Sequence, residues 1–398
     1  MPVRYVDELP PTADLVVVGG GIVGGATAFH ASRAGLRVVL LERRPALCSL
    51  TTAAAAGGYR LQLDDPDEVE VVRESVELLQ GFADATGQRD YDPALRPVGY
   101  LWCTTSEMVA ERQRRQVERQ RAWGLTDVEL LDGDETRRRW PYLSPDVIQA
   151  RFRQNDGLLD QKAITFGLVA GSGAEVMVRC GVTGLTVRED RLVSVETERG
   201  TVSTERCVIA GGPLSGMLAS AAGVDLPIET VLRHKVVLPD VPEVPPDAPM
   251  TIDDDTAAHW RPAFGGAFAL FTDPETPPAP PREDVSPEPG YAFRVLDPSS
   301  ATSVARVTPF WRGAWERGSL HWMVQAGQYT MTPDHRPLIG ATRVEGVFVN
   351  TGYSGHGVMA GPAGSRILTD VITGKLADRD NPFRPDRPFA GPDREAPF

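Results

Sequence analysis

Three glycines and an acid carry the first chemistry legible in the chain. Gly19, Gly21 and Gly24 stand in the spacing G-x-G-x-x-G. Glu42 follows about 20 residues on, where a carboxylate reaches the ribose hydroxyls of a dinucleotide. Each glycine answers a separate demand: a tight turn at Gly19, close approach to a pyrophosphate at Gly21, and close packing of a helix on a strand at Gly24. The acid disfavours a phosphorylated ribose, so FAD or NAD is expected before NADP. A second glycine-rich turn, Thr351-Gly352-Tyr353-Ser354-Gly355-His356-Gly357, lies far along the chain and precedes a helix expected over Pro362 to Ile372. Helix N-termini favour anionic groups. Two such turns can hold the two ends of one long ligand, which favours FAD. Arg60 stands alone behind Gly57-Gly58, and His356 sits inside the second turn. No two histidines fall at ligand spacing, so no metal is expected.

The elements that position these residues follow from pattern. Leu15 to Val18 is a short apolar, β-branched run, the mark of a strand buried on both faces. A small-residue helix follows and stops at Gly35. Arg37 to Leu41 is the second strand. Residues 47–63 form a loop of small residues against which a flat ligand can lie. Asp65-Pro66-Asp67-Glu68 opens a helix whose apolar face is Val69, Val72, Val76, Leu79 and Phe82. Residues 105–123 make a polar helix whose interleaved charges read as a solvated face. Asp156 to Asp160 turns into a helix from about Lys162. Strands are expected at 175–179, 181–187, 192–197 and 201–209, the last ending in Gly211-Gly212 over the ligand. Further strands are expected at 231–238, 250–253 and 267–271.

The proline-rich acidic stretch 272–290 cannot pair centrally in a sheet and is an exposed loop or a lid. The aromatics of 310–322 belong to a pocket or, more commonly, to the core. His234, His259 and His321 read as structural, and His335 as solvent-facing in its turn. A proline-rich tail after about Lys375 is expected to wrap on the surface or hang loose.

The bulk numbers bound the rest. With 398 residues, 41 basic and 54 acidic, the net charge of −13 argues against a dedicated nucleic-acid or anionic-membrane surface. The four cysteines are far apart and suit buried single thiols, with Cys48 near the nucleotide. No apolar run reaches the ~18 residues of a membrane span. The N-terminus lacks a signal pattern, so a cytoplasmic protein is expected.

The C-terminal pattern TPD-x-x-PLIG, V-x-GVFV and TG-x-SGHG resembles the flavin-dependent amine and amino-acid oxidoreductases of the D-amino-acid oxidase-like superfamily. The branch it is most similar to holds sarcosine oxidase, the sarcosine oxidase β subunit and glycine oxidase. The early glycines with Glu42, the Gly57–Arg60 loop, the 156–160 turn and the Gly211-Gly212 turn share in the resemblance, whereas 240–325 matches weakly. The fold implied is α/β. A Rossmann-like FAD-binding domain would draw on 1–85, 150–225 and 325–380. A second, antiparallel-sheet α+β substrate domain would draw on 86–149 and 226–324, with 381–398 as tail.

The resemblance also implies roles. Gly19, Gly21 and Gly24 would hold the pyrophosphate and Glu42 the ribose, with Arg43 beside it. Thr51 and Thr52 would lie near the flavin or phosphates, Val182 at the adenine, and Gly211 and Gly212 over the cofactor. Gly355, His356, Gly357 and Met359 would sit beside the isoalloxazine, and Arg60 would bind a substrate carboxylate. Gly327 stands where relatives anchor FAD through cysteine, so FAD is expected to be non-covalent. Met359 replaces a carboxylate-binding lysine. No flavin-facing lysine occurs over Gly265 to Phe271, which leaves either oxygen or another acceptor as oxidant.

The reaction implied is oxidation of the C–N bond of a secondary or N-substituted amino acid to an imine, by hydride transfer to flavin N5. A D-amino-acid or proline-type dehydrogenase and a flavin subunit of a hetero-oligomeric amine oxidase are the alternatives. Monomer and oligomer are both open.

Overall fold

The computed structural model describes residues 2–389 and 391. Leu15–Val18 and Val38–Leu41 lie inside a six-stranded sheet. Its order is Leu338–Ala341, Val347–Thr351, Cys207–Ile209, Leu15–Val18, Val38–Leu41, Glu175–Met177. Neighbours run parallel except the hairpin of the first two. One face packs Leu15, Val17 and Leu40 against helices that include Ile22–Arg33 and Gly357–Ile372. The other packs Val16, Val39 and Leu41 against Leu185, Leu192 and Val195 of a three-stranded sheet. Covered on both sides, these strands have no polar face, which is why they read as continuous apolar runs.

The single strand expected over 201–209 is two. Gly200–Ser203 belongs to the three-stranded sheet and Cys207–Ile209 to the six-stranded one. Thr204 breaks the run by bonding the Arg206 carbonyl and amide. The last helix begins at Gly357, five residues before the expected start, and carries Pro362 inside it. A buried polar knot ties it to the first helix. Asn350 donates to Thr27 Oγ1 at 3.1 Å and Ser365 Oγ at 3.0 Å, and Tyr353 donates to Asn350 Oδ1 at 2.6 Å.

The second layer is an eight-stranded sheet. Its order is Met323–Met331, Glu229–Leu238, Gly266–Phe271, Ala258–Ala263, Met250–Asp253, Tyr100–Thr104, Gln149–Arg153, Glu129–Asp132. All pairs are antiparallel except Met250–Asp253 with Tyr100–Thr104. The sheet takes in Gln149–Arg153 and Met323–Met331, which straddle the boundaries drawn at 150 and 325.

The Glu107–Ala122 helix covers part of this sheet with amides as well as apolar side chains. Gln113, Gln116 and Gln120 are buried. Gln113 donates to the Trp102 carbonyl at 3.0 Å and Gln120 to that of Leu63 at 2.9 Å. The solvated face read from sequence is one side of the helix. The inner side mixes Val109, Ala110 and Val117 with the three glutamines. Their amide nitrogens are bonded, while the Gln116 and Gln120 side-chain oxygens find no donor among the described residues.

On the sheet's far face Trp260, Tyr291 and Trp311 pack as core, and Trp315 stacks on Trp322, so the 310–322 aromatics are structural. The tail docks as far as Phe389, with Phe383 fully buried and Arg387 making two 2.8 Å bonds to Asp334. Residues 390 and 392–398 of that tail lie outside the described residues.

Candidate cofactor cleft and active site

A single cleft of about 1300 Å³, its open mouth included, joins the two glycine turns. At one end stand Gly19, Gly21, Glu42, Arg43 and Val182; Thr51, Thr52, Gly211 and Gly212 follow, and Gly355 and Gly357 close the other end. Gly19 has φ +116°, and a Cβ there would lie 2.4 Å from the Ala210 carbonyl oxygen. Gly24 does not line the cleft. A Cβ on it would sit 1.8 Å from the Gly19 carbonyl oxygen, so only glycine lets the helix start over the turn. Glu42 is tied into the turn through backbone amides: Oε2 accepts from Gly20 and Oε1 from Arg44, both at 2.7 Å. Burial pushes its carboxyl up, and these two bonds oppose the shift.

The segment 272–290 docks across this cleft. Gln328 brackets it, donating to the Pro280 carbonyl at 2.8 Å and accepting from the Arg282 amide at 2.7 Å. Glu283 lines the cleft, pairs with Arg43 at 2.6 Å, and offers its carbonyl to Arg44 at 2.6 Å.

Three further residues expected at the cofactor, His356, Met359 and Gly327, are not among those lining the cleft. The His356 side chain turns away, with Nδ1 3.0 Å from Glu68 Oε1 of the Pro66–Gln80 helix, both residues buried. Only the backbone of its turn faces the cleft. Met359 is buried in the apolar core, because the first turn of the helix carries it round to the inner side. Gly327 packs under the Thr51–Ala54 helix, where a Cβ would meet that of Ala54 at 3.0 Å. Cys48 lines the cleft as a buried thiol pushed up to about 11 by desolvation, not as a reactive thiolate.

Arg60 is placed by the turn at 156–160. Gly58–Tyr59 pairs with Gly157–Leu158. The fully buried Asp156 accepts from the Leu61 amide at 2.9 Å, Gln62 Nε2 at 3.0 Å and Arg153 Nη1 at 2.6 Å. The Arg60 guanidinium is 5 % exposed, lies 5.2 Å above the Trp102 ring and donates to the Gln62 carbonyl. Tyr100, Tyr329 and His259 all feel its charge. Tyr329 also lines the cleft, so the arginine's charge reaches the cleft's lining. His259 is held neutral, lowered to about 4 by burial first and by Arg60 also, and bonds the Ala257 carbonyl.

Two cations that the sequence reading missed stand on the wall formed by the eight-stranded sheet. No lysine occurs over Gly265 to Phe271, but Lys235 on the adjacent strand lies 4.2 Å above the Phe268 ring and donates to the Ala55 carbonyl at 2.9 Å. Arg261 lies 4.5 Å above the same ring and donates to the Ala56 carbonyl at 2.5 Å. Together they fix the loop whose Ala55 lines the cleft. Burial lowers Lys235 to about 7 and Arg261 to about 10. The signal was present in the alternation Val231, Arg233, Lys235, Val237, which puts two cations on one face of a strand. Among the described residues no group of histidine, cysteine and acids is arranged for a metal, and no helix is long and apolar enough to cross a membrane.

The cleft thus offers a dinucleotide two glycine turns and an acid, with Lys235 and Arg261 behind the 55–56 loop whose Ala55 lines it. The chain is similar to several known proteins. Sarcosine dehydrogenase of Mus musculus is 27 % identical over 94 % of this chain, which spans only 41 % of that relative's length. A D-amino acid dehydrogenase of Cereibacter sphaeroides is 25 % identical, over 96 % of this chain and 97 % of its own. The structure of L-proline dehydrogenase from P. horikoshii superposes with a TM-score of 0.82 at 24 % identity, over 95 % of this chain and 98 % of that one. Glycine oxidase from Geobacillus kaustophilus gives 0.80 at 22 %, over 96 % and 100 %. These two likenesses establish the fold. The family described as FAD dependent oxidoreductase (DAO) matches residues 14–371, and the chain belongs to it.

Proposed function

We propose that the chain oxidises the C–N bond of a secondary or N-substituted amino acid, with Arg60 holding the substrate carboxylate. The observation that carries this reading is a buried arginine, braced over Trp102, whose charge reaches Tyr329, a residue that lines the cofactor cleft. Bound FAD supplies the hydride acceptor. The protein's own part is positional and electrostatic. Arg60, braced by Trp102 and by the Asp156-anchored loop, gives a planar fork for a carboxylate. Tyr100, buried, and Tyr329, half-buried, are both raised in pKa by desolvation and stay protonated. Arg261 stays charged at neutral pH and Lys235, lowered to about 7, adds part of a charge, so this wall favours negative charge that develops near it. Burial of the wall disfavours a charged amine and so favours the neutral form that can react. The name of the sarcosine dehydrogenase relative supports an N-methyl amino acid as the substrate class.

A D-amino-acid dehydrogenase is the second reading, favoured by the end-to-end match to such an enzyme. Its substrate would use Arg60 in the same way.

The test is Arg60→Ala in the flavin-loaded enzyme. KM for carboxylate-bearing amines should rise about 100-fold, the scale of truncating one partner of a buried charged pair, with the flavin spectrum retained. An unchanged KM would place the carboxylate elsewhere.

A further inference from the structure

The inner face of the eight-stranded sheet carries more positive charge than one carboxylate explains. Arg233, Lys235 and Arg261 stand on it in addition to Arg60. None of the three has a carboxylate within 4.0 Å among the described residues. The acids that face them, Asp273 for Arg233 and Asp160 for Arg261, act only at longer range, and Asp273 lies 3.9 Å from Arg294. Lys235 and Arg261 at least hold backbone carbonyls of the 55–56 loop.

Arg233 does not. Its Nε is buried without a hydrogen-bond partner, and its Nη1 reaches only the carbonyl of the preceding residue, at 3.2 Å. It sits opposite Gly327 in the strand register. Its guanidinium lies 5.7 Å from the centre of the Tyr329 ring. Tyr329, which lines the cofactor cleft, thus has the Arg233 guanidinium against its ring and lies within range of the Arg60 charge. Arg233 is half-buried, and a buried donor left idle, like its Nε, is costly unless an acceptor meets it.

We propose that Arg233 binds a second acid group of the substrate, so that the enzyme selects dicarboxylic amino acids, one carboxylate on Arg60 and the other on Arg233 across Tyr329. This rests on the reading of Arg60 as the first carboxylate's partner.

The experiment titrates the oxidised flavoprotein with succinate and with succinamate, its half-amide of the same shape and one charge fewer. The perturbation of the flavin band is the readout, so no turnover is needed. Succinate should bind at least ~10-fold tighter, and Arg233→Met should bring the ratio of the two affinities towards one, with Arg233→Lys keeping part of it. The ratio is taken within each variant, so a general loss of stability cancels. Equal affinities in the wild type overturn the proposal, as does an Arg233→Met ratio that stays as it was. A parallel assay compares N-methylglutamate with N-methylglutamine. Turnover of both without preference overturns the dicarboxylate inference and leaves the proposed reaction standing. Turnover of neither, with succinate still preferred in binding, supports Arg233 as an anion site and overturns the proposed reaction instead.

Discussion

At the scale of residues, the candidate site is decided by where side chains point. Lys235 shows this through its proton. Its ammonium is disfavoured in the fold and titrates at about 7, against 10.5 for an unburied lysine. The folded state thus binds fewer protons than the unfolded one between those values, and stability rises with pH across that window. The denaturation midpoint of the wild type should climb relative to that of Lys235→Met from pH 7 to 10, and run parallel to it below pH 6. A flat difference would mean that Lys235 is not desolvated. His356 makes a complementary case. Its turn was legible because glycine spacing fixes backbone, but spacing does not say which way the imidazole faces. Because it meets Glu68 in the interior, Glu68→Ala should cost about 3 kcal/mol of stability through the partner left uncompensated. The flavin spectrum should hardly move. A large spectral change with little loss of stability would return His356 to the cofactor.

At the scale of elements, the uniformly apolar strands around Leu15–Val18 were legible, since burial on both faces leaves one reading. Ala258–Ala263, Gln149–Arg153 and Glu129–Asp132 were not. The first two carry His259, Arg261, Arg151 and Arg153 on one face, and the third is only ELLD, so polar residues and short length break the pattern that marks a strand. The proline-rich acidity of 272–290 said loop, while its docking on Gln328 and Arg43 depends on partners from distant parts of the chain. Gln328→Ala removes both arms of that bracket. FAD release, followed by the rise in free-flavin fluorescence on dilution, should quicken by roughly tenfold, on the scale of one or two net hydrogen bonds. Proteolysis within 272–290 should quicken with it. Release at the wild-type rate would make the segment a passive cover.

At the scale of the whole molecule, two sheets meet along one cleft, and the cofactor is the element they share. FAD binds only the folded chain, so added FAD should raise the melting temperature in a concentration-dependent way. Gly327 offers no sulfur, and its surroundings leave little room for one. Acid precipitation should therefore release all the flavin into solution. Flavin retained on the precipitated chain would show a covalent link from another residue. The most direct measurement is anaerobic mixing of the yellow holoprotein with N-alkyl amino acids, D-amino acids and proline. The account predicts that N-alkyl amino acids bleach the visible flavin band in the wild type, and do so at far higher concentration in Arg60→Ala. An oxidised band that survives every carboxylate-bearing amine, in protein shown to hold FAD, would contradict it.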